Sequence, residues 1–581
     1  MQLIKLSANQ KSFHTIDFKT NKVNIICGSK SEPEDTATDK TFNGVGKSLT
    51  QRIINFCLGS SRIPTFEEKL PDWEFTLEFQ IGTEKHVIRR GTNKQTKVIF
   101  NSKEITVTKY NKILGDLLFH NTEGMGELSH RALINRFLRV DKKSCQEWDE
   151  YDHDKTAYTR LLRIGHLLGL DFKVIEQKKE LRSESEKIKG DLERLEKDEV
   201  FKKYFSQEED IEIEIDDYRE RVIQLGANLK KVKIAEDYRD VEREANRLSE
   251  LKHTNNNRKI LIENKINTIS KALKIKTGVS SDTVSKMYKK ASVEVPEMVK
   301  KTLSDVTKFH EHIITGRLKR LLNEKDSLRS ELVSMESELR ENDTQLNEKM
   351  KYLSAHGAMD EYGALRDQLE DLKSHLDRLK IFKKIIEEYE SKLLSKKTEL
   401  DEQNKYARQY LQEYAPIREE NNAMFRSFSK GFYPEYTAGI SVKGNFGENQ
   451  TQFDIDATID YDDSDGIGEI KIICFDLTVL IKAHNHSVHF LFHDSRLFSD
   501  VDPRQIVTLL KLMDELCQKY GVQYIMTVNQ NTLDSIESGR YLTAQEYKEY
   551  VTDNVILTLT DESEKTKLLG ENVKINLDKK K

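Results

Sequence analysis

The chain has 581 residues and a mass of 67.6 kDa, too long for one hydrophobic core, because cores stop growing near ~250–300 residues. Charged residues make up 33%, hydrophobic ones 37%, and the mean hydropathy is -0.67. With no apolar run near the roughly 18 residues a spanning helix needs, an integral membrane protein is excluded. The 94 basic residues nearly balance 99 acidic ones, giving a net charge of -5, which excludes a globally basic nucleic-acid coat but not a local basic surface.

The N-terminal MQLIKLSANQK has no signal-peptide core, and the five cysteines follow no framework spacing, so a cytoplasmic protein with reduced thiols is expected. Taken in chain order, LIKL, HTIDF and VNIIC read as short strands. Gly28 ends the third, and a polar insertion (Ser29–Phe42) leads to Asn43-Gly44-Val45-Gly46-Lys47-Ser48 and the amphipathic stretch SLTQRIINFCLG. This is the second half of a phosphate-binding loop. Its glycines let backbone N–H groups approach phosphates, Lys47 reaches the β/γ oxygens as a solvated ligand, Ser48 ligates Mg²⁺, and a helix N-terminus faces the negative charge. Thr41 stands where the motif has its first glycine.

Trp73, Phe75, Leu77 and Phe79 alternate with polar residues, which predicts a half-buried strand, and Val98–Val107 reads as a hairpin. Between them Arg89, Arg90, Lys94 and Lys97 could meet a DNA backbone, although an ordinary solvated hairpin accounts for them equally well.

Only Pro296 interrupts the interval between Pro71 and Pro416, and proline costs ~3 kcal/mol inside a helix, so two long helices around a bend are predicted. Val174, Leu181, Ile188, Leu192 and Leu195 step by threes, fours and sevens. Leu328, Leu332, Met335, Leu339, Leu346 and Leu353 hold one register, which resumes at Leu365, Leu369, Leu372, Leu376 and Leu379 after a break at Ser354–Gly363. This is a coiled-coil pattern, with a single solvated helix in a bundle as the alternative. Arms of similar length fold back most simply as an antiparallel hairpin, with the break as a joint.

Beyond Pro416, Phe453, Ile455, Ala457 and Ile459 alternate again, followed by a helix (Ile470–His484), a strand (Val488–Phe492), a helix (Pro503–Tyr520) and a strand (Tyr524–Val528). Asp494 at the end of the buried strand is placed to polarise a metal. Ser464-Asp465-Gly466-Ile467-Gly468, just before the first of these helices, resembles the ABC signature that closes on a partner's γ-phosphate. Where an ABC-type ATPase has its water-orienting glutamate, this chain has Ser495; Val501-Asp502 resembles the D-loop one position late, and Asn529 stands in place of a switch histidine. His489 and His493 share a strand face, where packing is favoured over a metal site.

A phosphate loop at one end, the other motifs at the far end and a coiled-coil hairpin between resemble the SMC-like ABC ATPases of the zinc-hook repair superfamily. The interrupted loop with NGVGKS, the His-Asp-Ser sequence and KFHEHIITGRL near the bend are most similar to a short bacterial branch in Lamassu-type anti-phage defence systems. The resemblance implies an α/β ABC-type ATPase head assembled from N- and C-terminal segments, with a long antiparallel coiled-coil hairpin and a small helical apex. The implied boundaries are a phosphate-loop lobe at 1–170, an ascending arm at 171–279, the apex at 280–317, a descending arm at 318–415 and a C-terminal lobe at 416–581.

It further implies ATP and Mg²⁺ as cofactors, bound by Asn43 to Ser48 and Asp494. Ser464 and Gly466 would contact the nucleotide of a second protomer, with Asp502 at the same interface of a head-to-head homodimer. Double-stranded DNA (ends or unusual structures), a separate effector such as a nuclease and a small accessory subunit are the implied partners. No cysteine lies between Cys145 and Cys474, so a thiolate zinc hook is excluded. Hydrolysis should be slow, since Ser495 is too short and too weakly basic to orient water. A non-hydrolysing, nucleotide-gated scaffold and a DNA repair or chromosome-maintenance ATPase remain open, while a purely structural coiled coil leaves Lys47 and Asp494 unexplained.

Overall fold

The computed structural model describes residues 1–30, 44–150, 156–197, 211–231, 236–274, 297–354, 359–571, 573 and 575. The strands are β1 (Gln2–Ala8), β2 (Ile16–Asp17), β3 (Val23–Ser29), β4 (Glu74–Ile81), β5 (Glu84–Gly91), β6 (Lys97–Phe100), β7 (Lys103–Thr106), β8 (Ala438–Gly444), β9 (Phe453–Ile459), β10 (Phe490–His493), β11 (Gln523–Asn529) and β12 (Val555–Thr560). The chain divides into two compact units, one formed by Met1–Ser183 with Thr398–Lys581, the other by Glu184–Lys397.

In the first unit an antiparallel sheet runs β2-β1-β4-β5-β6-β7, a parallel sheet runs β10-β11-β3-β12, and β8 pairs with β9. The parallel strands are continuous apolar runs because both faces are covered: every residue of β10 is buried, as are the first six of β3 and of β11. The antiparallel β4 instead alternates, with Phe75, Leu77 and Phe79 inward. The expected hairpin is β6–β7, and the helix Pro503–Tyr520 has the expected ends.

Strand β3, from the start of the chain, lies between β11 and β12, both from its end. Gln523 at the start of β11 accepts from Leu3 N and donates to Leu3 O, both at 2.8 Å. One core joins Ile25 and Ile54 to Ile473, Phe492 and Ile525. Neither terminal segment alone supplies the middle of this sheet and both its neighbours.

The second unit is helical. Ile215 packs with Leu376 and Leu379, Leu248 with Leu346, and Ile262 with Met335 and Leu339. Partner numbers fall as these rise, so the helices Ile211–Lys231 and Glu236–Lys274 run antiparallel to Glu297–Ser354 and Met359–Glu413. Flanking pairs have the same order: Lys252–Asp343 at 3.0 Å and Lys259–Glu336 at 2.8 Å. The expected seam residues Met335, Leu339, Leu346 and Leu353 are buried. Residues 355–358 of the expected break lie outside the described residues, between the helix that runs to Ser354 and the one that runs from Met359. Residues 280–296 of the expected apex lie outside the described residues, and from Glu297 the backbone is helical.

Candidate functional site

The carboxyl ends of the parallel strands gather the expected chemistry. From β3 the chain passes to the far strand β10, whereas from β11 it passes to β12 on the opposite side. The sheet therefore reverses its strand order between β3 and β11, and in open α/β sheets ligands bind at such a point. Gly28 is the next-to-last residue of β3 there, and Asn43 lies outside the described residues. Gly44 and Gly46 have φ of 83° and 118°, a region that favours glycine. Val45 O accepts from Leu568 N at 3.0 Å, so a C-terminal segment fastens the loop. A Cβ on Gly46 would lie 2.4 Å from Leu568 Cβ.

Gly46 caps the helix Lys47–Cys57 without a side-chain hydrogen bond, and no acidic residue occupies its first turn. Its leading N–H groups and dipole therefore suit an anion. Lys47 is not solvated, as its role as a ligand led us to expect; it is 6% exposed and folds over Gly28, whose Cβ, if present, would lie 2.4 Å from the Lys47 ammonium. Burial lowers the Lys47 pKa, opposed by the negative charge of nearby Asp494. Ser48 follows in the first helical turn, half-buried.

Asp494, at the end of β10, is 1% exposed. Its Oδ1 accepts from Arg496 Nε at 2.8 Å and Arg496 N at 3.2 Å, and its Oδ2 from the Thr527 hydroxyl at 3.4 Å. Ser495 donates its backbone N–H to Thr527 Oγ1 at 2.8 Å, while its hydroxymethyl group is half-buried. Arg496 also donates to Val140 O at 3.0 Å and to Gln51 Oε1 at 3.4 Å. Arg496, Thr527 and Gln51 were not singled out from the sequence. The available signal was a cation two residues beyond a strand-end aspartate.

Ser464 and Gly466 belong to a neighbouring feature. Ser464 begins the helix Asp465–Lys482, which starts five residues earlier than expected, and Gly466 packs so tightly that a Cβ would meet Asp500 O at 2.6 Å. Glu469, one turn on, accepts from Ser499 Oγ at 2.9 Å and Asp500 N at 3.1 Å. Burial pushes its carboxyl up to about 7, against the pull of those two bonds. The segment 494–500 thus has Asp494 at one end and rests on Gly466 and Glu469 at the other. Asp502 caps the helix Pro503–Tyr520, accepting from Arg504 N at 2.8 Å, and Arg504 holds its carboxyl below the usual range.

The histidines serve packing. His493 lies between Asp476 at 3.2 Å and the Tyr524 hydroxyl at 3.0 Å, fully buried, so it does not stand free to position water beside Asp494. Asp476 also lies 2.9 Å from Arg136 Nε and accepts from Arg139 Nη2 at 2.9 Å. These guanidinium groups hold its carboxyl well below the usual range despite complete burial. His489 contacts the N-terminal amine at 3.2 Å. Among the described residues no group of three His, Cys, Asp or Glu side chains could hold a metal ion.

The expected basic face is smaller than the sequence implied. Arg90 is 2% exposed, stacks over Phe56 at 4.0 Å and donates to Gln95 O at 2.7 and 3.0 Å. As a DNA contact Arg90 is therefore withdrawn: successive residues of a strand point to opposite faces, and the inward set of β5 is His86, Ile88 and Arg90. Arg89 points outward, 3.8 Å from Glu74, and Lys94 is exposed. Both line a cleft of about 420 Å³, where Lys97 pairs with Glu104 at 2.6 Å.

Comparison with known proteins adds three findings. A family described as an uncharacterised protein conserved in bacteria (DUF2326) matches residues 428–573. No curated protein matches the chain. Among solved structures, the Smc head domain with a coiled coil and joint from Pyrococcus yayanosii is 14% identical, covers 96% of this chain and 94% of its own, and superposes with a TM-score of 0.36. The Smc head with an extended coiled coil bound to the C-terminal domain of ScpA, from Pyrococcus furiosus, is 12% identical, with coverages of 92% and 91% and a TM-score of 0.32. Superpositions this loose transfer neither residue roles nor activity. No helix among the described residues is long and apolar enough to cross a membrane.

Proposed function

We propose that the first unit binds ATP with Mg²⁺ and works as an SMC-like ATPase head. The observation that carries this reading is the meeting of Lys47, folded over Gly28, with buried Asp494 at the carboxyl ends of parallel strands, beside an uncapped helix N-terminus. A hydroxyl from Ser48 and a carboxylate from Asp494 are the hard oxygen donors that Mg²⁺ takes. Held by Ser48 and Asp494, Mg²⁺ would supply positive charge against the charge that develops on the phosphates. Lys47 then supplies the second positive charge, and the backbone N–H groups of Gly46 onward orient the phosphates. Gly44, Val45 and Asn43 complete the loop.

Dimerisation follows from the second feature: Ser464 and Gly466 would face the nucleotide of another copy, with Asp502 nearby. Double-stranded DNA would meet the exposed Arg89 and Lys94. The branch resemblance adds control of a separate effector, with an accessory subunit, in anti-phage defence. Five buried free thiols fit a reducing cytoplasm.

Ser495 makes turnover slow, because a positioned base contributes ~10²–10⁴-fold. A non-hydrolysing scaffold is the second reading, favoured by Ser495 and by the engagement of Asp494 with Arg496. Phosphate release with and without DNA decides: slow release that rises in Ser495→Glu supports an ATPase head, and none in either protein supports the scaffold. Release at ordinary ATPase rates that Ser495→Glu leaves unchanged would show that another residue positions the water.

A further inference from the structure

Arg496 occupies a position that the nucleotide reading does not use. Its guanidinium Nε is 2.8 Å from Asp494 Oδ1, and its Nη2 reaches both Val140 O at 3.0 Å and Gln51 Oε1 at 3.4 Å. Asp494 is sealed, with its side chain 0% exposed, whereas that of Arg496 is 31% exposed. The backbone N–H of Arg496 donates to the same oxygen as its own side chain, so one residue supplies two donors to Oδ1. Thr527 takes the other oxygen, and Lys47 is a second cation nearby.

We propose that Arg496 is a positioning residue that competes with a divalent cation for Asp494, and so sets the metal affinity of the site; this rests on the nucleotide reading above. One carboxylate facing two cations has little negative potential left for a third. Oδ1 is already used by a charge-assisted bond, of the stronger kind. For the carboxylate to ligate a metal, Arg496 must swing toward solvent, which its partial exposure and position at the start of a short turn allow. Lys47, folded over Gly28 and 6% exposed, has less access to solvent than Arg496. Apparent metal affinity is then the intrinsic affinity reduced by the fraction of molecules in which Arg496 has released Asp494. Release also removes a donor from Gln51 Oε1, on the same helix as Lys47, and from Val140 O, so the metal step is felt at both.

The test uses the full chain and the non-hydrolysable analogue adenylyl imidodiphosphate, with Mn²⁺ as the metal probe and free Mn²⁺ read by electron paramagnetic resonance. Analogue binding is first measured without metal by a fluorescent derivative, and thermal midpoints confirm folding. Arg496→Gln removes the charge and keeps a donor for Val140 O, and should tighten Mn²⁺ binding about tenfold. Arg496→Lys keeps the charge but lacks the planar fork, and should fall between wild type and Arg496→Gln. Asp494→Asn should bind Mn²⁺ weakly whatever stands at 496.

Normal analogue binding with an unchanged or weaker Mn²⁺ affinity in Arg496→Gln overturns the competition alone. If that variant does not fold, Arg496→Lys decides, and an affinity equal to or below wild type overturns the proposal. Failure of wild type to bind the analogue, with or without metal, overturns the nucleotide reading and the competition with it.

Discussion

The Lys47 side chain lies against Gly28 so closely that a Cβ at position 28 would come 2.4 Å from its Nζ and 2.9 Å from its Cδ. A strand-end glycine and a helix-start lysine, separated in sequence by a polar insertion, thus form one feature. Replacing Gly28 by Ala should displace the far end of a flexible side chain and leave the sheet standing. ATP affinity should fall about tenfold, with little change in thermal midpoint. Titration of a fluorescent ATP analogue together with a melting curve checks both, and unchanged affinity would show that the Lys47 position is not used.

Asp476 pairs with Arg136, Arg139 and His493 in the core. Asp476→Asn should destabilise the head by ~3–5 kcal/mol, the usual cost of leaving buried charge without its partner. Urea unfolding followed by circular dichroism measures this, and a loss below 1 kcal/mol would mean that the cluster is hydrated.

Glu469 has a folded pKa of about 7, above its ordinary value of 4.5. Between those values the folded head binds more protons than the unfolded chain, so this residue makes stability fall as pH rises from 4.5 through 7. Glu469→Gln should remove that slope: the variant gains on wild type between pH 5 and pH 8. Parallel slopes for the two proteins would mean that Glu469 ionises normally.

Arg89 and Arg90 should separate by role. Arg89→Glu should weaken duplex binding at low salt and leave the melting temperature within error, since surface charge contributes little to stability. Arg90→Glu should unfold the N-terminal lobe, because it buries a carboxylate against Phe56. Equal folding of the two variants would contradict the orientation of β5.

Much of this was legible because it rests on local chemistry. Glycines before Lys47, the alternation in β4 and the heptad spacing from Leu328 to Leu353 each impose one local geometry. The conflict over Arg90 was legible too: a run of basic residues reads as one surface only until strand period is applied, and then alternate members turn inward. What could not be read were pairings set by tertiary structure. Arg496 reaching Val140 and Gln51, Arg139 reaching Asp476 and Gln523 clasping Leu3 join residues whose sequence spacing carries no signal. Burial of Lys47 belongs here too, because Gly28 comes from a different element.

The central claim is that Lys47 and Asp494 form a nucleotide–metal site, and equilibrium binding of a fluorescent ATP analogue to the full chain tests it most directly. Wild type should bind in the presence of Mg²⁺, Lys47→Ala should lose at least about tenfold in affinity while remaining folded, and Asp494→Asn should keep part of the affinity but lose its dependence on Mg²⁺. Equal binding by wild type and a folded Lys47→Ala, or Mg²⁺ dependence that survives in Asp494→Asn, would contradict it.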